Sequence, residues 1–336
     1  MRLLRFAALR LLLVIPVLFG VVTVTFVLVR VLPGDPVQAF VSAGSTATDV
    51  EAIRARLGLD TSIWQQYLTY LGGLFRGDLG TSVATGVPIS TELSTRVGPT
   101  FELVFLGVGL ALVISVVLGV WSALRAHRPL DHVTRVGSLV GTALPEFWLA
   151  LVLIVIGYQW LGWFPGPGGR VDRGLAPTPL TGAEAVDAAL TGNLPSFTSA
   201  VAHLVLPVLT IVVGVSAALI RTVRATALEI RAAQPWACAQ AHGLTGSTLV
   251  RGYLMRGTLA RLPTLAALVL GNVLGGVVLV ELVFSWQGMG QWLLRGLLTR
   301  DYPVVQAGVV ISALVFTLAY LVADIVQAAL DPRVRV

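Results

Sequence analysis

Long apolar runs alternate with polar, Gly- and Pro-rich segments along this chain. A helix that crosses a bilayer needs about 20 largely apolar residues at about 1.5 Å of rise each. Runs of that kind cover residues 11–29, 101–124, 136–160, 203–220, 263–283 and 304–328. Arg10 and Arg30 bracket the first, Pro145 interrupts the third, and Gly276 lies in the fifth. Such breaks are tolerated within a membrane where neighbouring protein takes up the freed backbone groups. The pattern predicts an all-α integral membrane protein with six transmembrane helices. The first run is longer than a signal-peptide core and no small-x-small cleavage site follows it, so it is expected to remain as a span.

Composition agrees with the pattern. Hydrophobic residues make up 56% of the 336 positions and charged residues 12%, about half the charged share of an ordinary soluble domain. All 23 basic residues are Arg. Without a lysine the chain has no Schiff-base amine and no Gly-x-x-x-x-Gly-Lys phosphate loop, so it cannot bind and split ATP in the P-loop manner. Cys238 is the single cysteine, which excludes an internal disulfide and any cysteine-based cluster. His242 has no metal-ligand neighbours at the right spacing, and nothing suggests a nucleic-acid partner.

The placement of Arg sets orientation. With the N-terminus inside, the inner segments hold Arg2, Arg5, Arg10, Arg125, Arg128, Arg135, Arg221, Arg224, Arg231, Arg251, Arg256, Arg261, Arg333 and Arg335, against only Asp131, Glu229 and Asp331. The outer segments mix both signs. This positive-inside bias puts both termini in the cytoplasm and implies an even number of spans. Between residues 32 and 98 an outer region is expected to carry a helix over 48–57 and an amphipathic one over 63–75, with Trp64, Tyr67, Leu68, Leu71 and Phe75 on its apolar face. The outer loop over 162–199 is rich in Gly and Pro and is expected to be irregular. The inner segment 221–261 is mostly small residues and Arg.

Two features could carry function. Glu102, Glu146, Glu281 and Asp324 lie in or near spans, where an acid either lines a polar path or pairs with backbone or Arg at an interface. Glu102, Glu146 and Glu281 are the candidate path-lining or gating residues. The second feature is the inner run Ala237, Cys238, Ala239, Gln240, Ala241, His242, Gly243 and Leu244. Its small side chains leave the backbone near the surface, and Gly243 can take a positive φ and end a helix. Beside Trp236, such a helix either docks end-on into a partner or lies against its own bundle.

The chain resembles the B-type permease subunits of dipeptide and oligopeptide importers. The residues that carry the likeness are Arg30-Val-Leu-Pro-Gly-Asp-Pro36, Leu57-Gly-Leu-Asp60, Gln66-Tyr67-Leu68, Phe75-Arg-Gly-Asp-Leu-Gly80 and Leu144-Pro-Glu-Phe-Trp148. They continue with Glu281-Leu-Val-Phe-Ser-Trp-Gln-Gly-Met-Gly290, Arg300-Asp-Tyr-Pro-Val-Val-Gln306 and Leu330-Asp-Pro-Arg-Val-Arg335. The resemblance implies a type I ABC importer permease fold: a first helix and outer region over 1–95, and a five-helix core over 96–330 with a cytoplasmic coupling loop at 221–261. It implies that residues 237–244 couple to the ATPase, with Ala239, Ala241 and Gly243 on the family pattern. Gln234-Pro235, Ala237, His242 and Glu146 depart from it. The implied partners are a second, homologous permease, two ATPase domains that bind ATP and Mg, and an extracytoplasmic binding protein. The implied cargo is a short peptide, with nickel, haem or glycan as alternatives carried by similar permeases.

Other classes fit less well. An ion-coupled secondary carrier would show more midplane acids and inverted repeats. A membrane-embedded enzyme would need a nucleophile–base or metal constellation, and only His203 stands at a span end. The topology is testable with reporters fused after Ser90, Leu180 and Thr245: the first two should read as external and the third as cytoplasmic. An external reading at Thr245 would reverse the orientation.

Overall fold

The computed structural model describes residues 2–31, 60–244 and 246–330. The helix expected over 48–57 and the terminal residues 331–336 lie outside them. The regular structure of the described residues is helical, apart from one isolated β-bridge between Thr81 and Pro88. The helices are α1 (Arg2–Val31), α2 (Ile63–Phe75), α3 (Ile89–Leu124), α4 (Pro129–Ala143), α5 (Glu146–Ile154), α6 (Glu184–Leu190), α7 (Leu194–Ala232), α8 (Gln234–Ala241), the short turn α9 (Gly246–Leu249), α10 (Arg256–Phe284), α11 (Met289–Leu298) and α12 (Tyr302–Leu330).

Among the described residues α1, α3, α7 and α12 are single rods long and apolar enough to cross a membrane. The other two expected spans are bent. The stretch 136–160, expected as one span, is two helices, α4 and α5 with its π-helical extension Val155–Trp160, set at 103°. The reason is local. Pro145 lacks an amide hydrogen and crowds the residue before it, and Leu144 accordingly sits in extended backbone at ψ 126°. The fifth span bends by 54° between Val273 and Gly275. The count of six therefore holds with each bent pair taken as one crossing. The outer loop carries more order than its composition suggests, since α6 forms within it. The boundary expected at residue 95 falls inside α3, which begins at Ile89 and runs on unbroken.

The most extensive packing is between α3 and α7. Two glycines on α3 make it possible: a Cβ at Gly107 would meet Ile211, and one at Gly119 would meet Val223, each at 2.7 Å. A central core forms around Leu103, Val108, Ile211, Val277 and Trp286. An inner cluster lies around Val120, Val223 and Leu254, and an outer one around Ile89, Trp292 and Val304. α1 packs on α12. Arg10, in the first half of α1, reaches Asp324, near the end of α12, at 2.9 Å, so the two helices run antiparallel, with the start of α1 and the end of α12 on one side. The amphipathic α2 is pinned to α1: Tyr67 meets Phe26 edge-on at 5.0 Å, and the Arg30 Nε donates to Gln66 Oε1 at 3.0 Å. Its other face leaves Trp64 and Phe75 exposed, as headgroup-level aromatics are.

The inner ends of α3, α4 and α7 meet at Asp131, which is fully buried. Arg224 donates to both its oxygens, at 2.6 and 2.8 Å, the Ser122 hydroxyl donates to Oδ1, and the His127 amide donates to Oδ2 at 3.0 Å. Removing one member of a buried, hydrogen-bonded pair costs about 3–5 kcal/mol, because the survivor keeps an uncompensated charge. Arg224→Met should therefore lower the apparent melting temperature of the purified protein sharply. Adding Asp131→Leu to it should restore most of the loss. Equal stability of Arg224→Met and the parent would mean that the pair does not hold these helices.

Candidate functional site

The inner segment folds as α7 running to Ala232, then α8, then a turn at His242–Gly243. Ala233 separates the two helices in extended backbone, φ −77° and ψ 150°, and Pro235 stands in the first turn of α8, where its missing amide hydrogen costs nothing. Trp236 and Ala239, three residues apart on one face, are buried in the inner cluster with Val116, Val223 and Leu254. Ala237, Cys238, Gln240, Ala241, His242, Gly243 and Leu244 are exposed. The helix thus lies against its own bundle by one face and leaves the other exposed. Ala239 belongs to the inward face, not to the exposed one.

Gly243 has φ +78°, and an added Cβ would meet nothing within 4 Å. Its amide donates to the Gln240 carbonyl, and the Leu244 amide to the Ala239 carbonyl. This is how a left-handed residue closes a helix C-terminus. Glycine is needed here for its backbone conformation alone.

The three candidate acids are treated differently by the fold. Glu281 is fully buried. Its Oε1 accepts from the Thr100 hydroxyl and its Oε2 from the Gln291 amide at 2.8 Å. The same Thr100 oxygen accepts from the Met289 amide at 2.7 Å, and Trp286 Nε1 donates to the Pro99 carbonyl at 3.0 Å. Glu281 therefore ties α3, the end of α10 and the start of α11 together. Glu102 is 6% exposed. Its Oε1 accepts from the amides of Ala185 at 2.8 Å and Val186 at 3.4 Å, fixing α6 over α3, while its Oε2 is buried with no hydrogen-bond partner. It stands beside an open apolar groove of about 1340 Å³ lined by Phe101, Phe105, Leu110, Phe197, Val201 and Leu209. Glu146, half-buried at the start of α5, projects between α7 and α10, where Gly214 and Gly276 leave room for it.

Several buried polar centres escaped the sequence reading. Asp301 accepts from the Ser82 hydroxyl at 2.6 Å and the Ala84 amide at 3.0 Å. Glu92 accepts from Trp292 Nε1 at 2.7 Å and from the Thr85 hydroxyl at 2.6 Å. In the outer loop Asp187 accepts from the amides of Leu180, Thr181 and Gly182 and from the Thr181 hydroxyl. Burial pushes its carboxyl up, but these four donors outweigh it and hold the group below the usual carboxylate range. Arg170 closes the same loop through Glu184, at 3.1 Å, and the Gly182 carbonyl, at 2.9 Å. Among the described residues no group of three His, Cys, Asp or Glu side chains could hold a metal ion.

The two faces of α8 can be told apart. Ala239→Glu would bury a carboxylate in an apolar cluster, so it should lower the amount of protein in the membrane. Ala237→Glu, on the exposed face, should leave it unchanged. Equal abundance of the two variants would mean that α8 does not pack as described.

Two family models match the chain. Residues 115–336 match the inner membrane component of binding-protein-dependent transport systems, and residues 3–89 match the N-terminal part of such membrane components. Among curated proteins it is 39% identical over 321 residues to the probable D,D-dipeptide transport system permease protein DdpB of Escherichia coli strain K12, covering 95% of this chain and 94% of that protein. It is 38% identical over 336 residues to the di/tripeptide transport system permease protein DppB of Pseudomonas aeruginosa strain UCBPP-PA14, covering 99% of each. To the oligopeptide transport system permease protein AppB of Bacillus subtilis strain 168 it is 32% identical over 327 residues, covering 97% of this chain and 98% of that protein. With the inner loop and both bent spans inside residues 115–336, the chain belongs to the family of inner membrane components of binding-protein-dependent transport systems.

Proposed function

We propose that this chain forms half of the translocation path of an ATP-driven importer of short peptides. The observation that carries the cargo is full-length similarity to permeases named for dipeptide, di/tripeptide and oligopeptide transport. The chain is a transport subunit and not an enzyme. It binds no cofactor of its own. ATP and Mg belong to two partner ATPase domains, because a chain without lysine has no P-loop lysine. A second, homologous permease supplies the other half of the path as a heterodimer, and an extracytoplasmic binding protein delivers cargo to the outer face. Residues 1–95 form the first helix and the outer region, and residues 96–330 form the permease core.

Force from the ATPase enters through residues 237–244. The exposed face of α8 carries only small or polar side chains before Leu244, so a bulky partner can approach its backbone closely. α8 follows directly on α7 and leads through α9 into α10, so a push on it moves both. Of the three candidate acids, Glu146 lines the path, Glu102 stands at the edge of the outer groove, and Glu281 holds the outer clasp from which gating motion would pivot.

The coupling is tested by Gly243→Val, which forces a β-branched residue into left-handed backbone at a cost of about 1–2 kcal/mol without a steric clash. The variant should insert normally but lose several-fold in uptake of a labelled dipeptide by the assembled complex. Cys238, which is exposed, should label with a maleimide in the isolated permease and be protected in the complex. Full uptake by Gly243→Val together with unchanged Cys238 labelling would mean that force enters elsewhere.

A further inference from the structure

The described acids in the bent and straight spans are almost all satisfied internally. Asp131 has Arg224, Asp324 has Arg10, Glu281 has Thr100 and the Gln291 amide, and one oxygen of Glu102 has the Ala185 amide. The Glu146 carboxylate takes no hydrogen bond and no ion pair from any described residue. An unpaired carboxylate at membrane depth is expensive, and such groups face a bundle interior or a water-filled path.

The surroundings of Glu146 are shaped around it. It stands where the 103° bend between α4 and α5 turns the chain into the bundle. Its carboxylate lies between the two long helices that α5 packs against, α7 and α10. A Cβ on Gly276 would come within 2.6 Å of Oε2, and one on Gly214 within 3.4 Å of Oε1. The nearest atoms to either imagined Cβ all belong to Glu146. Gly276 therefore leaves space that a Cβ would take from the carboxylate, Gly214 lies in contact distance on the other side, and Glu146 remains partly open to its surroundings. Asn272, exposed, stands one turn before Gly276 on the same side of α10. The carboxylate is an acceptor with no donor against it among the described residues.

We infer that Glu146 is a recognition point for an ammonium group carried by the cargo, which for a peptide is its free amino terminus. This rests on the peptide reading of the preceding subsection. A primary ammonium offers three N–H donors, enough for both carboxylate oxygens of Glu146 with one left for a further acceptor. The site is half open and holds a single charge. It therefore binds weakly enough for the cargo to leave, as passage along a path requires. The cation arrives with each cargo molecule, so the fold holds none in reserve. Cargo that presents no ammonium gains nothing from Glu146, and the residue sorts cargo after delivery by the binding protein.

The test uses the complete complex with its binding protein and radiolabelled L-alanyl-L-alanine, reading initial uptake, membrane abundance and co-purification of the ATPase. Glu146→Gln should cut uptake by about ten-fold, the weight of one hydrogen bond to a charged group, with abundance and co-purification unchanged. Glu146→Asp, which keeps the charge, should retain most of the uptake, and Glu146→Lys should abolish it. Gly276→Ala should reproduce the loss of Glu146→Gln, because its Cβ displaces the carboxylate without removing it. Uptake by Glu146→Gln equal to that of the parent overturns the inference while leaving the peptide reading intact. So does a fall in abundance that accounts for the lost uptake, or an equal loss in Glu146→Asp. A parent complex that takes up no dipeptide overturns the peptide reading and this inference with it.

Discussion

Arg224 closing on the buried carboxylate of Asp131 is the contact from which the inner half of the molecule is organised. It joins α7 to the start of α4, and through Ser122 it reaches the end of α3. Arg231, two turns further along α7, donates to the Ala123 carbonyl on the same α3 end. The direction in which α7 leaves the bundle is therefore set by two arginines, and α8 begins directly after it. Trp236 and Ala239 can then settle into the cluster built by Val120 and Val223. The paired charges hold the inner ends of α3, α4 and α7 together, and the small exposed residues of α8 leave its other face open.

The outer half solves the same problem with hydrogen bonds instead of an ion pair. Glu281, Glu92 and Asp301 each gather donors from elements far apart in sequence, and Trp286 and Trp292 bring apolar bulk with a single polar handle each. The sequence signature at 281–290 and that at 300–306 are mostly this clasp. The clasp can organise the outer ends of α3, α10, α11 and α12 as one unit, which a path that opens and closes requires.

Hydropathy made the spans legible, because lipid accepts a backbone only when its polar groups are satisfied within the segment. The break at Pro145 was legible as a break. Its 103° angle was not, since that depends on how α4 and α5 each pack against α7. The amphipathic helix over 63–75 and the positive φ at Gly243 follow from local pattern, and both stand in the structure. The pairing of the acids did not follow. Asp131 and Arg224 are separated by 93 residues, Thr100 and Glu281 by 181, and Ser82 and Asp301 by 219. A single sequence places each of these groups near a span end and gives no means of matching them across such distances. Arg224 shows the cost: counted only as an inner positive charge, it is also the counter-ion of the most deeply buried inner acid.

That matching separates the acids by role. A carboxylate whose partners are all internal can be read as architecture, because moving it would break bonds the fold relies on. Asp131 and Glu281 are of this kind, and their burial is affordable only while those partners stay in place. Glu102 is intermediate, with one oxygen anchoring α6 and the other buried without a partner. Glu146 stands at the far end of the series, with no partner among the described residues and with Gly276 placed where a Cβ would collide with it. A fold that pairs at least one oxygen of each other described span acid and leaves this carboxylate unpaired has the arrangement expected of a group whose partner comes and goes.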